Sequence, residues 1–300
     1  MPLDAFSTAA YTIPLPPGHR FPTEKYGLLR DRVLSLGLVP SGRLHTPDRA
    51  SPEELRLVHT TDYVDRFTEG RLTENEMRRV GFPWSPELAE RSYRAVGGTI
   101  GASRAALAHG ISVNLAGGTH HAFPDHGEGF CVFNDVAVSI RVLQRESRVK
   151  RAAVIDLDVH QGNGTHAIFA GDRSVFTFSM HGGRNYPFNK VAGCLDIELA
   201  DGTGDDCYLE LLAEHLPEVL ARAEPDLVVY LAGADPHEHD RLGRLKMTRD
   251  GLCRRDVIVI AACREAGIPV AITIAGGYGH DIRETVEVHA NTVRIARDFA

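Results

Sequence analysis

The stretch VIDLDVHQGNGTH, residues 154–166, decides how the chain is read. An apolar run carries Asp156, Asp158 and His160 at every second position and then breaks into Gly162-Asn163-Gly164. Alternate side chains of a strand share a face, so these three polar groups point one way. A strand ending in three metal-type donors predicts a site at its carboxyl end.

Working outward, four more β-rich runs appear: ISVNLAGG (111–118), SVFTFSM (174–180), DLVVYLAGAD (226–235) and IPVAITIAGGY (268–278). Helix-like segments lie at 86–109, 134–146, 205–223, 248–266 and 280–299, and Ser85-Pro86-Glu87 reads as a capped helix start. Near-continuous Val/Ile/Leu runs alternating with helices predict an α/β fold, its central, mostly parallel sheet flanked by helices on both faces. With no repeat or linker, residues 1–300 read as one domain. Such sheets bind ligands outside the carboxyl ends of their strands. Four of the five runs end in chemistry: Gly117-Gly118-Thr119-His120-His121, Asp156/Asp158/His160, Ala234-Asp235 and Gly276-Gly277-Tyr278.

Composition sets the bounds. The chain has 300 residues, 43% hydrophobic and 24% charged, with a net charge of −7. The basic residues are scattered along it, so nucleic acid is not expected as a partner and a basic peptide would be tolerated. No run spans a membrane, and MPLDAFSTAAYTIPL does not read as a secretory signal. Five cysteines without a CxxC pair read as reduced thiols. A cytoplasmic enzyme is the expectation.

Asp158, His160 and Asp235 form a two-carboxylate, one-imidazole set. Three protein donors leave a fourth position open, the catalytic form of a zinc site. Zn²⁺ is the default, and the O/N donors also admit Fe²⁺, Co²⁺ or Mn²⁺. His120 and His121 supply imidazoles, which Asp156 and Asn163 can hold in a chosen tautomer. Tyr278, between glycines, can present a hydroxyl to a carbonyl oxygen. His237 and His239 read as loop groups near Asp235 rather than ligands. Each element alone has a bland reading: an incidental DxDxH, a surface histidine pair, a turn with a packed aromatic. Together they complete one another.

These segments resemble the histone deacetylase and acetylpolyamine amidohydrolase superfamily. The resemblance rests on GGTHHAFPDHGEGFCVFND (117–135), VIDLDVHQGNGTH, TFSMH (177–181), AGADPHEHDRLGRL (232–245), AGGYGH (275–280) and HRFPTEKY (19–26), and is greatest to the class IV branch and its bacterial relatives. It implies an arginase/deacetylase-like fold with metal ligands Asp158, His160 and Asp235. It implies His121 as general base, Tyr278 as oxyanion donor, and His120 with Asp156 as the electrostatic partner, Asn163 orienting an imidazole. Gly129, Phe130, Tyr186, Leu242 and Gly277 would line an acyl-lysine tunnel. A structural K⁺ would sit on Asp156, Asp158, His160, Ser179 and Met180. The departures are Asn163, where many members carry Asp, Tyr186 in place of a phenylalanine, and no identifiable acidic rim residue; Glu87 reads as part of a helix start.

The function implied is a zinc-dependent amidohydrolase removing an acetyl or longer acyl group from lysine in a peptide or protein, or from a similar amine. A deacetylase of acetylpolyamines is the alternative, and Leu242, where an acidic gatekeeper would stand, argues against it. A catalytically silent acyl-lysine-binding module is the reading from another class. A manganese ureohydrolase would need a second set of carboxylates.

Overall fold

Alternation along each central strand determines which helices it meets. A computed structural model describes residues 2–300. Its strands are β1 (Asp4–Phe6), β2 (Leu44–His45), β3 (Ile111–Asn114), β4 (Ala152–Asp156), β5 (Val175–Gly182), β6 (Leu195–Leu199), β7 (Leu227–Leu231) and β8 (Val270–Thr273). They form one sheet in the order β2-β1-β3-β8-β7-β4-β5-β6, and every pairing is parallel. The helices are α1 (Lys25–Ser35), α2 (Pro52–Leu55), α3 (Thr61–Thr68), α4 (Glu74–Val80), α5 (Pro86–His109), α6 (Asp135–Arg145), α7 (Asn163–Ile168), α8 (Asp205–Ala223), α9 (Arg249–Glu265) and α10 (Ile282–Asp298).

Ala153, Ile155, Val228, Tyr230, Val270 and Ile272 pack into a core with residues of α1, α8, α9 and α10. Their neighbours Ala152, Val154, Leu227, Val229 and Ala271 pack into a separate core with α5 and α6. Both faces of β4, β7 and β8 are therefore covered, which is why these strands are apolar up to their carboxyl ends, where Asp156 and Thr273 close β4 and β8. A third core joins α3, α4, α5 and the loop around Phe133 beside the sheet. α5 begins as its sequence requires: Ser85 Oγ accepts from Leu88 N–H, Pro86 takes the first position, and Gly110, at φ +91°, ends it. Among the described residues no helix is long and apolar enough to cross a membrane, and all five cysteines are free.

Register places the site. Asp156 pairs with Leu231 on one side and Ser179 on the other, and Leu231 pairs with Thr273. The carboxyl ends of β4, β7 and β8 are thus level, and the loops that follow carry Asp158, Asp235 and Gly276 to one point. The short strands β1, β2 and β6 fall outside the runs recognised in the sequence. β1 and β2 are too brief for a period, and the edge strand β6 is only half buried.

Candidate active site

Asp158, His160 and Asp235 each bring a donor atom to a cluster whose members lie within 4.8 Å of one another, and all three are buried. Asp158 Oδ1 and Asp235 Oδ2 lie 2.9 and 3.2 Å from His160 Nδ1. Asp235 Oδ1 accepts from Val159 N–H, but Asp235 Oδ2 is buried with no hydrogen-bond partner. Burial and the charge of Asp158 push the Asp235 carboxyl up. Buried carboxylates crowded around an orphaned oxygen call for a cation, so the donor set fits a divalent ion. Gly276 permits the crowding: its N–H donates to Asp158 Oδ2 at 2.8 Å, and a Cβ there would meet Asp235 Oδ2 at 2.0 Å. His237, His239 and Glu284 form a second donor group, but none of them lines the cavity described below.

Two imidazoles stand beside this cluster, with ring centres 4.2 Å apart. His120 Nδ1 lies 2.6 Å from Asp156 Oδ2, and His121 Nδ1 lies 2.7 Å from Asn163 Oδ1. Burial opposes a charge on His120, but Asp156 and Asp158 outweigh it and push its pKa up to about 9. Burial, then the positive charges of His120 and His160, hold His121 well below its ordinary value. The two environments push the neighbouring rings in opposite directions, a pattern that suits two like groups to opposite proton-transfer roles.

The tautomer of His121 follows from Glu128. Asn163 Nδ2 donates to Glu128 Oε1 at 2.7 Å, and a carboxylate only accepts. Asn163 must therefore turn its oxygen to His121, whose Nδ1–H donates. Nε2 is left able to take a proton. Glu128 is not singled out in the sequence, where Asn163 stands in place of the Asp that many members carry. The carboxylate is present one side chain further back.

A cavity of about 680 Å³ leads to these groups. Its wall includes His120, His121, Asp158, His160, Gly129, Phe130, Tyr186, Leu242, Gly276 and Tyr278. Gly129, at φ +57°, lets the wall close on the base, since a Cβ would sit 2.7 Å from His121 Cδ2. Tyr186 meets His121 edge-on at 4.9 Å, and the Phe130 ring lies 6.0 Å from that of Tyr278. Phe130 holds a positive φ of 66°, anchored by its N–H to Val80 O. Gly277, expected on the wall, lies behind it, with Thr285 and His289 where a side chain would be, and Gly276 takes the wall position. Ser179 stands beside Asp156 in register, with Met180 next on β5. Glu87 stays in the first turn of α5, away from the cavity.

Tyr278 is clamped by its backbone. Its N–H donates to Asp240 Oδ2 at 2.6 Å, and its carbonyl accepts from Arg241 Nε at 2.8 Å. Buried Lys25 donates to the carbonyls of Ala275 and Gly277 at 3.3 and 3.4 Å, with its Nζ 5.4 Å from the Tyr278 ring centre. Burial and the nearby carboxylates of Asp158 and Asp235 raise the Tyr278 phenol well above 10, so it remains a donor. None of these three supports was identified from sequence. Their partners lie up to 252 residues away, and a polar residue in a loop leaves no periodic trace.

Comparison with known proteins gives the family and the fold. The histone deacetylase domain profile matches residues 19–293. An uncharacterised protein of Picosynechococcus sp. is 46% identical, over 96% of each chain. Histone deacetylase 2 of Arabidopsis thaliana is 32% identical, over 87% of this chain and 70% of its own. The crystal structure of an HDAC homolog from Aquifex aeolicus superposes with a TM-score of 0.85, covering 99% of this chain and 84% of that one at 24% identity, and so shares the fold. On its sequence, its sheet order and its match over nearly the whole length, the chain belongs to the histone deacetylase family.

Proposed function

We propose that this chain is a zinc-dependent amidohydrolase that removes an acyl group, acetyl or longer, from the ε-amine of lysine or a similar amine. The observation that carries the reading is an arrangement: His120 held by Asp156 and His121 held by Asn163, both next to Asp158, His160 and Asp235 at the end of an aromatic-walled cavity. Membership of the deacetylase family supports it. Asp158, His160 and Asp235 would hold the divalent ion. When bound, such an ion polarises an acyl carbonyl and acidifies water. Ser179, Met180, Asp156, Asp158 and His160 would hold the structural monovalent cation.

The protein's own groups do the rest. Phe130, Tyr186, Gly129 and Leu242 guide an extended acyl-lysine chain inward and exclude water around it. His121 Nε2 takes the proton of the attacking water, its Nδ1–H kept in place by Asn163 and Glu128. Tyr278 donates its phenolic hydrogen to the oxygen on which negative charge develops. His120, kept cationic by Asp156, stabilises that charge and assists proton delivery to the leaving amine.

The test is a panel of acetyl-lysine peptide, longer acyl-lysine peptides and acetylputrescine. Hydrolysis of acyl-lysine is expected. Exclusive turnover of the polyamine would overturn the substrate class, and hydroxamate binding without any hydrolysis would leave a binding module. Tyr278→Phe should lower kcat on the order of 10²–10³-fold, the usual cost of one oxyanion donor. Near wild-type turnover by that variant would remove Tyr278 from the reaction.

A further inference from the structure

The cavity mouth carries a charge pattern that amide hydrolysis does not require. Seven arginines line the cavity; Arg91 is buried, and the other six, Arg20, Arg78, Arg79, Arg184, Arg241 and Arg244, are exposed at its mouth. The one carboxylate on the wall is Asp158, buried at the donor cluster. Counterions are few. Arg184 and Arg244 share Asp201, at 3.9 and 3.1 Å, and Arg78 lies 3.7 Å from Glu74. Arg20, Arg79 and Arg241 have no carboxylate within 4.0 Å among the described residues. The chain as a whole is at −7, so this ring opposes the net charge. The averaged charge, which would tolerate a basic peptide, is a poor guide to the mouth.

A cleft rimmed by one sign of charge concentrates the opposite sign at its opening. Guanidinium groups add direction, since their planar forks match carboxylates bidentately. The arginines come from separate parts of the chain: the N-terminal loop, the last turn of α4, the loop after β5 and the loop after Asp235. A small anion would engage one or two of them, whereas a polypeptide with several acidic side chains can engage them together. Phe188, 83% exposed and also on the cavity wall, gives such a segment an apolar contact.

Resting on the deacylase reading, the geometry points to an acyl-lysine within an acidic protein segment as the substrate, with Asp or Glu flanking the modified residue and the arginine ring gripping those carboxylates. The ring takes the place of the acidic rim residue missing from the sequence, with the opposite preference. Cationic polyamine chains and Lys/Arg-flanked sites meet like charge here.

The experiment compares acetyl-lysine peptides of equal length with acidic, neutral or basic flanks, together with a small acylated amine bearing one carboxylate. Both kcat/KM and affinity, by anisotropy of labelled peptides, are measured at low and high salt. Acidic flanks should win over basic ones by at least ~10-fold in both quantities at low salt, the advantage shrinking as salt screens the rim. Arg184→Glu/Arg244→Glu should reduce or reverse the acidic-to-basic ratio measured within that one variant. Equal affinity for all flanks, or a ratio unmoved by the reversal, would overturn the proposal. Preference for the small anionic amine over every peptide would overturn the choice of a protein segment. If no amide is hydrolysed the deacylase reading fails, while the affinities still decide what the rim binds.

Discussion

Asn163 acquires its meaning from the side chain behind it. An amide next to an imidazole has two orientations, and only one leaves His121 Nε2 free to accept a proton. Glu128, hydrogen-bonded to Asn163 Nδ2 at 2.7 Å, selects that orientation because it has nothing to donate. Groups one bond removed from a reacting centre typically change activity 10- to 100-fold. Glu128→Leu should therefore lower kcat by about tenfold or more with a smaller effect on KM, while Glu128→Gln, which can donate as well as accept and so no longer fixes the amide, should recover only part of the rate. Steady-state kinetics of the pair checks this, and wild-type kcat in the leucine variant would show that Asn163 orients itself.

At the scale of elements, the donor-bearing loops are fixed from beneath the sheet. Arg255 on α9 is fully buried and donates through Nη1 to the carbonyls of Leu157 and Gly233, at 3.3 and 2.7 Å. Those carbonyls lie one and two residues before Asp158 and Asp235. Asp256 balances the guanidinium at 2.9 Å from Nε and also accepts from Tyr230 and from Thr292 of α10. One ion pair thus ties β7, α9 and α10 to the turns that deliver two of the three donors. Removing one partner of a buried pair leaves an uncompensated charge, so Arg255→Met should cost about 3–5 kcal/mol. Urea unfolding would show that loss, and an unchanged midpoint would mean the pair is dispensable. Sequence gives no sign of this strut. Arg255 and Asp256 sit inside α9 like any charged pair in a helix; Arg255 reaches backbone oxygens up to 98 residues away, and Asp256 takes the hydroxyls of Tyr230 and Thr292.

Across the whole molecule, what could be read ahead of the structure was what repeats or terminates. The apolar runs of β4, β7 and β8 marked the buried strands, and the residues where those runs ended, Asp158, Asp235 and Gly276-Gly277-Tyr278, marked the crevice. Contacts between polar residues far apart in sequence were not legible: Lys25 beneath Gly277, Glu128 behind Asn163, and six dispersed arginines gathered at one opening. Burial also sets how the fold responds to acid. His59 is fully buried, its Nδ1–H donating to Phe123 O and its Nε2 accepting from Asn134 N–H, and burial depresses its pKa to about 4 from 6.5. Above pH 6.5 both states are neutral there. As pH falls from 6.5 towards 4 the unfolded chain takes up a proton that the folded one refuses, so about 3 kcal/mol of stability drains away. Chemical denaturation across that range should show a shallower slope in His59→Gln, and an unchanged slope would mean that His59 titrates freely. The proposed activity requires one divalent ion among Asp158, His160 and Asp235. The most direct measurement is titration of metal-stripped protein with Zn²⁺ while acetate release from an acetyl-lysine peptide is followed. Activity should rise from near zero and reach a plateau at one equivalent per chain; activity without metal, or a requirement for two equivalents, would contradict it.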